Sequence, residues 1–333
     1  MTQIITLQTA LEHLLNSNAD IPKNHLQHYS DLDPQSLTIF MDVWPRVKPT
    51  RKLLLLDELL SHLDEDTIVS YEEIGRALLN DANSDVRSRA IRLLAESDDP
   101  KLASKFIEIL LNDPDLAPRM ESATLLGEFI LMGELEKLKQ SLQQKIEGAL
   151  ISVIRSEDNP SLRRRALEAL SYSSNPEVAA LIESAFERAD PAWVAAALRS
   201  MGRSHDERWN EDVVSRMLDD DPRIRFAAVE AAGELNIEEA GPILIKMLED
   251  EEEDDDVVAA AIWSLSQIGG DDARIYLLNL IENTEEEELV EFLEDALENL
   301  DFNTELNKFD LLSLDDDDDL LDLDEEELED EDD

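Results

Sequence analysis

The chain reads as an all-α protein: an α-solenoid of about six to seven short helix pairs, with an N-terminal helical cap and a disordered acidic C-terminal tail. Three observations predict this. First, the stretch Asp221-Pro222-Arg223-Ile224-Arg225-Phe226-Ala227-Ala228-Val229-Glu230-Ala231-Ala232-Gly233 has a pattern that recurs along most of the chain. With Ile224 as position 1, the register starts at Val86, Pro118, Leu162, Trp193, Ile224 and Val257, and in a weaker form at Leu289, in steps of 32, 44, 31, 31, 33 and 32 residues. A fixed period of this size marks an array of supersecondary units. Second, the text between those registers is helical, without β-type alternation or a Gly-rich phosphate loop. Third, acidic residues crowd the C-terminal quarter: 37 acidic and 2 basic residues from Glu249 to Asp333.

Taken in order, residues 1–30 hold one short amphipathic helix near residues 7–15 and then a polar stretch. Asp33 is placed to cap a helix that starts at Pro34 and stops at Pro45; a short polar side chain satisfies an orphan N–H, and proline lacks one to satisfy. A second helix over residues 49–63 carries Leu53, Leu54, Leu55, Leu56, Leu59 and Leu60. That load is too broad for one exposed face, so burial between neighbours is expected. Residues 31–70 thus form the cap. Residues 71–302 form the array, with first helices expected at 71–79, 101–111, 177–186, 212–218, 239–248 and 273–281. The 44-residue step contains residues 129–144, which predicts a lengthened helix or an extra turn. A last helix is expected over 289–300, and residues 303–333 are the low-complexity acidic tail, kept unfolded by self-repulsion.

Each register position has a physical duty. Three residues before position 1 stand Asn83, Asp115, Asn159, Asp190, Asp221 and Asp254, all good N-caps. Positions 1, 5, 6 and 9 fall on one helical face and are apolar or small throughout, as in Ala90, Ile91 and Leu94 or Ala228, Val229 and Ala232. Position 10 is small: Ala95, Gly127, Ser171, Gly202, Gly233 and Ser266. These read as packing residues. Position 2 carries Arg87, Arg119, Arg163 and Arg225, interrupted by Val194 and Val258. Such a ladder clamps carboxylates of a bound peptide or, the reading favoured here, braces acidic residues of the turns.

The Asp-Pro turn, the Val-Arg pair in Asp85-Val86-Arg87 and the Ala-rich helix in Ala260-Ala261-Ile262-Trp263-Ser264-Leu265 together resemble the short HEAT-like repeats first associated with phycobilin lyases. The resemblance spans roughly residues 71–300. The stretch from Leu32-Asp33-Pro34 to Val43-Trp44-Pro45 is similar to the leader of bacterial HEAT-repeat proteins. The resemblance implies an α-solenoid and brings two enzymatic readings with it. HEAT-repeat hydroxylases hold iron on His-Glu dyads, but none of His13, His25, His28, His62 and His205 is followed by Glu. No motif singles out a bilin pocket. No cofactor, metal or catalytic residue is therefore expected, and the chain is read as not an enzyme.

Composition narrows the partners. The net charge of −51 repels nucleic acid and anionic lipid and attracts basic molecules. There are no cysteines, no apolar run long enough to span a bilayer and no evident signal peptide, so a cytoplasmic location is expected. The run of eight acids from Glu249 to Asp256 has no fixed ligand spacing and reads as a solvated loop. Positions 3 and 7 are expected to point away from the packed face. The partner-binding candidates there are Arg92, Arg164, Arg199, Phe226, Glu230 and Trp263, since aromatic and Arg side chains dominate protein interfaces. The function expected is a non-catalytic scaffold or adaptor that binds a protein or peptide along its concave face. Its tail is expected to bind basic partners or to screen the arginines of the body. Two alternatives stand beside it: a lyase-type or modification-enzyme accessory protein holding a small ligand, and an acidic chaperone of basic proteins.

Overall fold

The computed structural model describes the backbone of residues 6–16, 19–156 and 158–321, with side chains described through residue 306, Asn16 apart. Contacts divide the chain into two units, Met1–Val178 and Ala179–Asp333.

In the first unit, α1 (Leu7–Asn16), α2 (Lys23–Leu26), α3 (Pro34–Val43) and α4 (Pro49–Glu65) build the cap. The Asp33 carboxylate accepts from the N–H groups of Gln35 and Ser36 at 2.9 and 2.8 Å, the N-cap expected from sequence. Tyr29, Phe40 and Trp44 form an aromatic core with ring centroids 6.1 and 5.2 Å apart. The α1 helix packs on α3 and α2 packs on α4. Of the seven leucines of α4, Leu55, Leu56 and Leu59 are fully buried, whereas Leu53, Leu54, Leu60 and Leu63 remain half-exposed. The cap covers one side of this helix; its other side is not enclosed.

Three helix pairs follow: α5 (Glu72–Leu78) with α6 (Ser84–Arg92), α7 (Pro100–Asn112) with α8 (Leu116–Glu134), and α9 (Gln140–Arg155) with α10 (Pro160–Leu170). The long sequence step is now explained. Helix α8 is lengthened to 19 residues and α9 adds a 16-residue first helix, which the repeat register did not announce. The second helices stack in order, α4 on α6, α6 on α8 and α8 on α10. This is the arrangement of an α-solenoid.

Helix α11 (Pro176–Phe186) crosses the unit boundary. The second unit continues with α12 (Pro191–Arg203), then pairs α13 (Asn210–Arg216) with α14 (Pro222–Glu234), α15 (Gly241–Leu248) with α16 (Asp255–Ile268), and α17 (Asp271–Asn283) with α18 (Glu287–Leu321). Helices α12, α14, α16 and α18 stack successively. Gly269 and Gly270, at φ +73° and +93°, make the sharp turn between α16 and α17, a backbone region open to glycine. Helical backbone continues in α18 across Asn303, where the acidic tail was expected to begin, as far as Leu321; residues 322–333 lie outside the described residues. Among the described residues no helix is long and apolar enough to cross a membrane.

Candidate protein-interaction surface

The repeat register becomes geometry in both units. Positions 1, 5, 6 and 9 are buried in every second helix from α6 to α16, as expected. The caps form at Asn83, Asn159, Asp190, Asp221 and Asp254, each accepting an N–H from two residues ahead. Asp115 is the exception. Its carboxylate does not cap α8 but accepts from Arg87 Nη2 at 2.9 Å.

That contact belongs to the ladder. Arg87 also forks onto Asp113 at 2.8 and 2.6 Å and donates to the Asp81 carbonyl at 2.9 Å. Arg119 donates to the Leu110 carbonyl at 2.7 Å and to Asp158 at 2.5 Å. Arg163 donates to the Ile154 carbonyl at 2.8 Å. In the second unit Arg225 reaches the Asp219 carbonyl at 2.8 Å and pairs with Glu253. Arg119 thus ties the end of its own first helix, and Arg87 and Arg225 the turn that follows theirs, to an acid in the turn ahead of the next second helix. The ladder braces the stack, as the favoured sequence reading had it. It also consumes part of the eight-acid run: Glu253 takes Arg225 and Asp254 caps α16. Burial is the largest single influence on the Asp113 carboxyl and pushes it up, but the Arg87 hydrogen bond, the Asp115 N–H and the charges of Arg87 and Arg119 together hold it below the usual carboxylate range.

Position 10 is where successive second helices touch. A methyl added at Gly127 would lie 3.1 Å from the Ala169 backbone, one added at Gly202 2.9 Å from Ala231 Cα, and one added at Gly233 2.7 Å from Ser264 Oγ. Ala169, Ala231 and Ser264 all stand at position 8, which is small from Ala169 onward, after Leu93 and Leu125, and which the sequence reading passed over. Ser264 Oγ additionally donates to the Val229 carbonyl at 2.8 Å, a buried interhelix bond. Ala95 is the departure at position 10, since it is exposed.

The remaining positions, 3 and 7, carry the partner candidates. Their expected orientation holds only in part. Ser88 and Ala195 at position 3 and Glu168 at position 7 are buried, because α6, α10 and α12 press these positions against neighbours. In the first unit Arg92 is exposed at the edge of a cavity of about 510 Å³, lined by Leu60, Ile68, Glu121 and Thr124 among others. Burial raises the Glu121 carboxyl, while Arg92 and Arg165 pull it back down. Arg164, half-buried, donates to Ser161 Oγ at 3.1 Å. With α8 between their helices, Arg92 and Arg164 are not brought together.

In the second unit Arg199 is half-buried and faces Glu234, whose carboxyl is raised by burial against the pull of Arg203 and Arg199. Phe226 and Glu230 are half-buried on α14. Trp263, on the same face of the adjoining α16, is 41% exposed and stacks on Phe292 of α18, with centroids 6.4 Å apart and planes 24° apart. Phe226, Glu230 and Trp263 therefore share a face across packed helices. Phe292 joins them, and sequence reasoning missed it because the register had weakened by Leu289.

The family model for HEAT repeats matches residues 72–148 and 210–298, one stretch in each unit. No curated protein matches the chain. Among solved structures, the chain is similar to the complex of CpcE and CpcF of phycocyanin lyase from Nostoc sp. PCC7120, with 17% identity, 69% of this chain and 94% of that chain covered, and a TM-score of 0.47. YibA from Escherichia coli is 12% identical over 86% of this chain and 98% of that chain, with a TM-score of 0.44. Kap121p bound to Pho4p is 12% identical over 88% of this chain and 37% of that chain, with a TM-score of 0.46. The matched stretches carry caps, braces and small-residue contacts in each unit, and they are HEAT repeats.

Proposed function

We propose that this protein is a non-catalytic scaffold or adaptor that binds a protein partner through the position 3 and 7 faces of its second helices. One observation carries the reading. The other register positions of Asp221 to Gly233 are used in building the stack, whereas Trp263, a large aromatic at position 7, is left 41% exposed. A rigid row of second helices presenting such side chains binds by preorganised complementarity, with no chemical step. The acidic C-terminal segment extends the negative field of the second unit and favours basic partners. The protein acts in the cytoplasm. The reading is tested by crosslinking mass spectrometry in native cells, comparing the full chain with one ending at residue 303. Partner crosslinks are expected beside Arg92, Arg164, Arg199, Glu230 and Trp263, and the shortened chain is expected to keep them with lower occupancy. Copurification of a stoichiometric chromophore or iron would instead favour a ligand-holding accessory protein. Partner binding that survives deletion of the repeats would favour a chaperone acting through the tail.

A further inference from the structure

The second unit says more about the partner than that it is a protein. Phe226, Trp263 and Phe292 come from α14, α16 and α18, three helices that stack in sequence. Trp263 and Phe292 are stacked at 6.4 Å, so each ring is fixed in orientation by the other. Ala259, one turn before Trp263, is small and exposed. It leaves the indole open, and Trp263 keeps 41% of its surface in solvent.

The charges around this aromatic pair are of one sign. Glu288 and Asp295 lie four residues before and three residues after Phe292, on its own helix face, and both are exposed. Helix α16 carries no Lys or Arg, and from Glu249 onward the chain has only Arg274 and Lys308. Arg274 is spent on Asp301. On α14, Arg223 and Arg225 are held by Asp221 and Glu253. The exposed indole therefore lies in a negative field, beside α16 and the 287–298 stretch of α18, neither of which carries a cation.

We propose that this face takes an arginine-bearing segment of the partner, with one guanidinium lying on the Trp263 indole and its charge met by Glu288 and Asp295. The inference rests on the scaffold reading and specifies its partner. A guanidinium suits the place better than an ammonium, because it is planar, weakly hydrated and stacks on an aromatic face. A second copy of this chain, a nucleic acid or an anionic bilayer would bring like charge to the same field and be repelled.

The test is titration of the full-length protein with a short labelled peptide of alternating Arg and Ala, and with its Lys counterpart, at physiological salt. Trp263 is the probe as well as the site: Trp44, Trp193 and Trp209 are buried, so quenching of the exposed indole reports on this face. Trp263→Ala is expected to weaken Arg-peptide binding by about tenfold, the range of a partly desolvated cation–π contact. Trp263→Tyr keeps an aromatic face and should stay within about threefold of the parent. Two variants of equal charge loss separate a built site from a diffuse field. Glu288→Gln with Asp295→Asn should weaken binding about tenfold, whereas Glu251→Gln with Glu252→Gln, in the exposed acidic turn, should change it by less than about threefold. Equal losses in both pairs, no loss in Trp263→Ala, or equal affinity for the Lys peptide would overturn the proposal. Native crosslinks that place an arginine-free partner segment at Trp263 would overturn it and leave the scaffold reading standing. Absence of any partner crosslink on either unit would remove both.

Discussion

Replacing Arg87 by Ala tests whether the ladder braces the stack. The Arg87 and Asp113 side chains are 9% and 7% exposed, so both charges are largely out of water. Removing the guanidinium leaves Asp113 with the Asp115 N–H at 2.9 Å as its remaining hydrogen bond, and orphans the Asp81 carbonyl. Deleting one member of a buried pair costs about 3–5 kcal/mol, against 0–1 kcal/mol for an exposed pair. Asp115 softens the loss, because its side chain is 52% exposed and rehydrates. We therefore expect Arg87→Ala to destabilise the α6–α8 region by about 3 kcal/mol. Repeat arrays need not unfold in one step, so the measurement is amide hydrogen exchange read separately on α6 and α8. Arg87→Met combined with Asp113→Leu removes both charges and should regain about 2 kcal/mol relative to the single change, the coupling expected of a buried pair. Lys23→Ala breaks a pair whose side chains are 74% and 51% exposed, and should leave exchange unchanged. A loss below about 1 kcal/mol for Arg87→Ala would mean the pair behaves as a surface contact, and the bracing account would fail.

The remaining predictions concern the contact between second helices, acid stability and one cap. Gly202→Ala drives a methyl to 2.9 Å from Ala231 Cα, so it should destabilise the second unit by about 1–3 kcal/mol in urea unfolding. Hydrogen bonding from Arg223 lowers the Asp221 carboxyl from its ordinary 3.8 to about 2, and Asp158 is likewise lowered, by Arg119 first. Because these folded-state values are depressed, their contribution is fully present above the ordinary carboxylate range and is lost as pH falls from about 4 toward 2. Thermal melts across that window should show a progressive fall in midpoint that Asp221→Asn reduces; a flat profile would refute the assignment. Asp254→Ala removes the cap of α16 and should cost about 1 kcal/mol, with Asp254→Ser restoring most of it.

The repeat itself was legible because short-range chemistry demands it. An N-cap has to precede its helix by a set interval, and apolar residues have to recur at helical spacing, whatever the neighbours are. The cap at Asp33, the caps from Asn83 to Asp254 and the buried positions 1, 5, 6 and 9 follow from that. Helix α9 escaped notice because first helices in this chain share no strong register, only a buried stripe. Glu168 was expected on an open face and is buried, since helical spacing sets an angle about the axis but not which neighbour fills it.

The candidate surface shows the same division. Sequence alone singled out Trp263 as a position 7 aromatic and Arg225 as a cation near acidic turns. It determined the periodicity, the charge and the small residues, all of which depend on residues close along the chain. Only the tertiary structure decided that Arg225 is spent on Glu253, 28 residues away, while Trp263 stacks on Phe292 and stays exposed. Those outcomes depend on how far successive helices are offset as they pack. That offset is set by contacts such as Gly202 on Ala231, which join positions a whole repeat apart.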